Sequence, residues 1–462
     1  MTIPEIVLTG SVSPGREKFY HDAPFAMPPG VNRLDVRYEY NDAINADARL
    51  SGGNTVDIGL FDERSDTCRQ AGFRGWSGSE RRELFISPTA ATPGYLPGPM
   101  NPGTWHICLG FYKVGPRGCD YRIQINFTFG DETAGCFPPL LSLRSNRPPL
   151  SPRPSGWYRG DLHCHSWHSD GDAPIRELIA TAEALGLDFL AVTDHNTLSH
   201  LAEMRDLEAK NLILIPGCEV TTYKGHFNIW GLDEWVDFRA LTLEQMQPAV
   251  HFAVEHSHLV SCNHPRQFGP PWEFETISGF RCVEVWNGPW RLFNHESLAF
   301  WERRLRAGER LVAVGGSDTH YLRRQHHAHI GNPTTWVYCP DNPTAENLLA
   351  GLRAGHAFIS RAPDGPQLFL SSQDWMMGDH LQRPANGKLP VQIRAVAGKG
   401  LVLQLIGAEG ILFATPISED EQTFDLIAPI EITPYVRAQI AEPDAGEWTV
   451  CALTNPIYGT PS

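Results

Sequence analysis

The chain has 462 residues, 42% of them hydrophobic and 20% charged, the balance of a soluble globular protein too long for one compact core. A formal net charge of −15 argues against nucleic acid as the main partner, because such binding normally needs a basic face, although a local basic pocket remains compatible with it. No stretch approaches the roughly 18 apolar residues of a membrane span, and the N-terminus lacks a basic start followed by an apolar run, so the expectation is a cytoplasmic protein whose scattered cysteines, with no C-x-x-C pair, are reduced thiols.

Residues 1–136 alternate short apolar and polar runs, among them NTVDIGLFD (54–62), TWHICLGFYKV (104–114) and YRIQINFTFG (121–130), with Gly, Pro and Asn turns between. This pattern predicts an N-terminal antiparallel β-sandwich. Residues 137–156 hold six prolines and three arginines and read as a stiff linker. From 157 to 364 strands alternate with helices. Helices are predicted over 173–186, 198–211, 242–257 and 294–308; the first carries an apolar stripe of Ile175, Leu178, Ile179, Ala182 and Leu185 and a stop at Gly186. Between them fall the near-continuous apolar strands ending in GDLHCH, AVTDH, IPGCEV, SCNHP, VEVWNG and GGSDTH. Repeated βα units of this kind predict a parallel sheet covered by helices, open or closed into a barrel. Residues 365–462 return to short strands and predict a C-terminal β-sandwich.

Metal-competent side chains sit where these central strands end. His163 and His165, spaced i, i+2, point to one side of the first strand. His195 ends the second, Glu219 follows the third, His264 ends another, and Asp318 with His320 ends the last; Asp170 in HSDG and His226 in KGHFNIWGL extend the set. In βα barrels the C-terminal strand ends are where active sites are built. A single histidine at a strand end is ordinarily a solvated or hydrogen-bonded residue, but residues of this kind ending strand after strand are hard to obtain by that route. Their number exceeds what one four- to six-coordinate ion uses, so more than one ion is expected. Imidazole and carboxylate donors without thiolate suit Zn²⁺, Mn²⁺ or Fe²⁺ without choosing among them. Cys164 and Cys218 alternate away from the site and read as packing residues.

The ordered motifs DLHCHSWHSDG, AVTDHN, PGCEVT, NHP and GGSDTH resemble those of the PHP (polymerase and histidinol phosphatase) family. More narrowly they are similar to its CehA/McbA-type metallohydrolases, which also show segments like GHFNIWGL, VEVWNG and GNPTTWVY. The resemblance covers about residues 157–361. It implies an α/β fold with a distorted (β/α)7 barrel, here flanked by the two β-sandwiches, and two or three divalent ions at its C-terminal face. Carried over motif by motif, one ion falls on His163, His165, Glu219 and Asp318; a second shares Glu219 and adds His226 and His264; a third uses Asp170, His195 and His320. Asp170 departs from relatives that carry histidine near this position. Asp161 is expected to orient a neighbouring ligand, and Gly171 to release the chain as a turn.

The chemistry that follows is hydrolysis by a hydroxide held between two ions. His168 is placed to orient substrate or protonate a leaving group, Arg266 to meet an anionic oxygen with its fork, and Asn196 to donate to the same oxygen. The resemblance implies a phosphoesterase acting on a small-molecule ester. The alternatives are a carbamate aryl ester hydrolase, for which Trp230, Trp286 and Trp290 supply aromatic walls, and a non-catalytic glycan- or protein-binding assembly. The run RRQHHAHIG (323–331) is read as positive charge at the entrance, and a homo-oligomer is compatible with the sequence.

Overall fold

The computed structural model describes residues 5–47, 49–65, 71–130, 135–145, 150–256, 258–267, 271–324, 328–431, 433–444 and 447–460. Residues 146–149 of the proline-rich segment and 325–327 of the basic run lie outside the described residues. Among the described residues no helix is long and apolar enough to cross a membrane.

In the N-terminal part, β1 (Ile6–Val12), β2 (Phe19–Met27), β3 (Val31–Tyr40), β4 (Thr55–Phe61), β5 (Phe73–Gly78), β6 (Glu83–Ile86), β7 (Gly103–Lys113) and β8 (Cys119–Phe129) form two antiparallel sheets. Their orders are β1-β8-β3-β6 and β2-β7-β4-β5. Alternation buries Leu34, Val36 and Tyr38 of one sheet and Ile58, Leu60, Ile107 and Leu109 of the other in a common core. The second sheet is buried on its other face too. Phe73 stacks on Trp235 with ring centroids 4.7 Å apart, and Trp76 meets Phe238 edge-on at 4.6 Å.

The central part runs β9 (Trp157–Cys164), α1 (Ile175–Ala184), β10 (Phe189–Val192), α2 (Ser199–Asp206), β11 (Ile213–Thr222), β12 (Gly225–Trp230), α3 (Leu243–Glu255), β13 (Leu259–Cys262), β14 (Cys282–Asn287), α4 (Asn294–Arg306), β15 (Val312–Gly316), β16 (Thr334–Tyr338), α5 (Ala345–Ala354) and β17 (Ala357–Ser360). Helix α1 buries Ile175, Leu178, Ile179 and Ala182 and is stopped by Gly186 in the left-handed region. Helix α5 has no counterpart in the sequence reading. It is capped by Thr344, whose Oγ1 accepts from Asn347 N at 3.1 Å, and closed by left-handed Gly355.

The strands lie in the order β15-β14-β13-β12-β11-β10-β9-β16-β17. The pairs β9/β10, β10/β11, β13/β14 and β14/β15 are parallel, but β12 is antiparallel to both neighbours. Only Tyr223 and Lys224 separate β11 from β12, too few residues for the crossover a parallel pair needs. The distorted (β/α)7 barrel of the sequence reading is not shown: the fold is mixed α/β and its strand ladder is not closed. Past the end of β15, Asp318 N donates to His163 O at 2.8 Å, and His165 N donates to Thr319 O at 2.9 Å, which brings the two ends of the row together.

The remaining strands are β18 (Gln367–Ser372), β19 (Trp375–Met376), β20 (His380–Gln382), β21 (Lys388–Val396), β22 (Val402–Gly407), β23 (Gly410–Pro416), β24 (Glu421–Pro429), β25 (Tyr435–Asp444), β26 (Glu447–Thr454) and β27 (Ile457–Thr460). One sheet, β19-β18-β21-β24, stands apart, while β17 pairs antiparallel with β26 and carries the central sheet on through β25, β22 and β23. The C-terminal strands are thus continuous with the strands that bear the site.

Candidate metal centre

The candidates lie within or just past strands, Glu219 inside β11, His226 near the start of β12 and the others at or beyond strand ends, and three of the turns there are left-handed at non-glycine residues: Asn196 (φ 53°), His264 (φ 29°) and Asp318 (φ 53°). Such backbone costs on the order of 1–3 kcal/mol per residue and persists where the surroundings over-determine it, as at functional sites. It turns the chain out of the strand direction at the cluster.

The cluster is built around the carboxylate of Glu219, which is 1% exposed. His163 Nε2 lies 3.4 Å from Oε1, and His226 Nδ1 and His264 Nε2 lie 3.3 Å from the same oxygen. His195 Nδ1 is 2.8 Å from Oε2 and His165 Nε2 is 3.6 Å from it. The Nε2 atoms of His163 and His165 are only 3.1 Å apart, and Asp318 Oδ1 stands 3.0 Å from the second. On the outer side Asp170 Oδ1 meets His320 Nε2 at 3.3 Å and His195 Nε2 at 3.5 Å. Three sets of donor atoms fall within 4.8 Å of one another: His163, His165 and Glu219; His195, Glu219 and His226; and His165, Asp170, His195 and His320. All nine candidates named from the sequence are brought together.

Four buried atoms of this cluster, His165 Nδ1, Asp170 Oδ1, Glu219 Oε2 and His226 Nε2, make no hydrogen bond. A buried polar atom left in this way is costly, and imidazole and carboxylate donors converging on shared points are what divalent cations take. Burial pulls His165 down to about 4, so it is neutral and its lone pair is free at neutral pH. Burial alone pushes Glu219 up, but His163, His226 and His195 hold it well below the carboxylate range. The residues fit a group of divalent ions.

The structure places the three residues expected to act on substrate elsewhere. His168 is buried with both ring nitrogens engaged, Nδ1 at 2.8 Å from Ser199 Oγ and Nε2 at 2.7 Å from Glu203 Oε2. Asn196 donates to Thr221 O at 2.9 Å and accepts from Thr221 N at 2.8 Å, pinning β11. Arg266 turns its fork onto Asn287 O at 3.0 Å and Asn294 Oδ1 at 2.8 Å. Asp161 accepts from backbone N–H groups and not from an imidazole. Cys164 and Cys218 are buried against carbonyls, and burial pushes both thiols up.

One carboxylate escaped the sequence reading. Glu284 Oε1 accepts from His163 Nδ1 at 2.9 Å, while its Oε2 accepts from His264 N at 3.2 Å and Asn287 Nδ2 at 3.0 Å. The signal was a lone acid inside CVEVWN, a strand buried at every position. Asn263 Nδ2 also donates to Glu219 Oε1 at 2.9 Å.

Residues 161–278 match the PHP domain family model, a stretch that holds every cluster residue except Asp318 and His320. A 5'-3' exoribonuclease of Haemophilus influenzae is 42% identical over 64 residues, 13% of this chain, and the match spans 23% of that relative's length. Among solved structures, a two-domain protein from Bacteroides vulgatus containing a predicted PHP-like metal-dependent phosphoesterase is 17% identical, with 66% of this chain and 98% of that one covered and a TM-score of 0.36. An amidohydrolase from Chromobacterium violaceum is 16% identical over 44% of this chain and 97% of that one, with a TM-score of 0.28. The matched stretch thus resembles a PHP domain and carries seven of the nine cluster residues, whose histidines and carboxylates make a site suited to divalent metals.

Proposed function

We propose that the chain is a multinuclear metal-dependent hydrolase of phosphate esters, with residues 157–364 as the hydrolase unit. The observation that carries this reading is the convergence of five histidines on Glu219, with four buried polar atoms left without hydrogen bonds. His163, His165, Glu219 and Asp318 would hold one ion, Glu219 with His226 and His264 a second, and Asp170, His195 and His320 a third. Divalent ions held there would lower the pKa of water and stabilise the charge that develops on the oxygens of the phosphorus under attack.

The chain's own groups prepare the site. Glu284 holds the Nδ1 proton of His163, which leaves Nε2 as the free donor facing Glu219 and fixes the ring. Asn287 Nδ2 donates to Asp318 Oδ2 at 3.2 Å, and Arg266, by holding Asn287, steadies that contact from behind. The name of the Haemophilus influenzae relative, an enzyme cleaving phosphodiesters, favours phosphate esters, while the net charge of −15 favours a small substrate over a polynucleotide. An uncharged aryl carbamate is the second reading, favoured by the ring pair Trp286 and Trp290.

The test is metal analysis of the purified protein with parallel hydrolysis of p-nitrophenyl phosphate, bis(p-nitrophenyl) phosphate and 1-naphthyl N-methylcarbamate, with and without Mn²⁺. Two or three ions per chain and phosphate ester turnover are expected. Turnover of the carbamate alone moves the assignment to the second reading, and a protein that binds no metal and cleaves none of the three is a binding module. Glu284→Gln is expected to weaken metal affinity about 10- to 100-fold without changing the melting temperature, read by competition against a chelating dye. Unchanged affinity would remove Glu284 from the site.

A further inference from the structure

A cavity of about 570 Å³ is bounded by the end of β14, the segment around His329 and the strands β25 and β26. That volume is in the range of small-molecule sites. One wall is the half-buried ring of Trp290, held edge-on against the buried Trp286 with ring centroids 4.8 Å apart at 74°. Trp286 is fixed by its Nε1 donating to Gly288 O at 3.0 Å.

The charge facing these rings is basic in an otherwise acidic chain. Arg291, His329 and Arg361 line the cavity together with Glu442, which stands 4.0 Å from Arg361 and offsets it. Among the described residues the side chains of Arg291 and His329 have neither an ion pair nor a hydrogen bond. An aromatic wall beside unpartnered basic groups recognises a ring that carries negative charge, by stacking and by charge-assisted hydrogen bonds.

The cavity is tied to the proposed reaction centre through the chain at the end of β14, where Gly288 N donates to Gly316 O at 3.0 Å. Trp286 and Gly288, both in its lining, flank Asn287, whose Nδ2 reaches Asp318 Oδ2. From this geometry we infer that the cavity binds an aromatic ring bearing an anionic group, as the uncleaved part of the substrate; its link to turnover rests on the hydrolase reading above. The C-terminal strands then have a direct task, since Glu442, Thr449 and Cys451 of β25 and β26 close the far side.

The probe is 2-naphthoate, titrated into the full-length protein stripped of metal with EDTA and followed by tryptophan fluorescence and calorimetry, with 2-naphthol and cyclohexanecarboxylate in parallel. Naphthoate is expected to bind about tenfold tighter than either comparator, and Arg291→Gln, an exposed and fold-neutral change, to lose about tenfold, the size of one charge-assisted hydrogen bond. Thr449→Trp, which fills the cavity, is expected to abolish binding with an unchanged melting temperature. Equal affinities for the three probes, or naphthoate binding indifferent to both variants, would overturn the inference. Because binding is read without metal, a protein that takes up naphthoate but cleaves no ester overturns the hydrolase reading and leaves the pocket standing.

Discussion

Glu219→Gln is expected to remove metal and turnover together. The Glu219 carboxylate is the one group shared by the two inner sets of donor atoms, and five imidazoles lie within 3.6 Å of its oxygens. Glutamine keeps the shape but loses the charge, and its amide NH₂ would face ring nitrogens that must offer lone pairs. The variant should retain at least one ion fewer per chain, and kcat/KM should fall about a thousandfold, equivalent to about 4 kcal/mol of lost transition-state stabilisation. Asn263 would still find an acceptor in the glutamine oxygen, so the melting temperature serves as a control for folding. A glutamine variant with full metal content and an undiminished rate would show that the cluster is not where the chemistry occurs.

How far such a site can be read from sequence depends on what local pattern encodes. His163 and His165 were legible because alternation in a strand puts i and i+2 on one face. His195, Glu219, His264 and Asp318 were legible because each follows an apolar run that could only be a buried strand. Glu284 was not, since in CVEVWN every position is buried and no polar face marks which way its side chain points. For His168 the spacing within HCHSWHSDG says nothing of Ser199 and Glu203, which come from α2 and engage both its nitrogens. The direction of β12 follows from the two-residue turn at Tyr223 and Lys224, which the repeated βα pattern does not report. Helix α5 likewise had a visible cap in Thr344 and a visible stop in Gly355. Pairing of β17 with β26 joins segments nearly a hundred residues apart, and no local pattern reports it.

Asp161→Ala is expected to be the most destabilising single change near the cluster. The residue is 0% exposed, with Oδ1 accepting from His163 N at 3.1 Å and Ser317 N at 3.0 Å and Oδ2 accepting from Gly331 N at 2.8 Å. Alanine orphans three buried N–H groups at about 1–3 kcal/mol each, so a loss of about 3–9 kcal/mol is expected, a large part of the 5–15 kcal/mol that holds an ordinary domain together. Asp161→Asn keeps one acceptor oxygen for the His163 and Ser317 groups and should lose about 1–2 kcal/mol, the share of the Gly331 bond. Urea unfolding of the three proteins reads both values, and an alanine variant within about 1 kcal/mol of the parent would refute the assignment. The effect should reach the cluster as well. With the strand ladder open, the bonds of Asp161, Asp318 N and His165 N, with that of Ser317 Oγ to His163 O, help hold the chain after β15 against the end of β9, and Asp318 and His320 ride on that chain. Metal affinity of the still-folded alanine variant should therefore fall even though no proposed ligand has been touched.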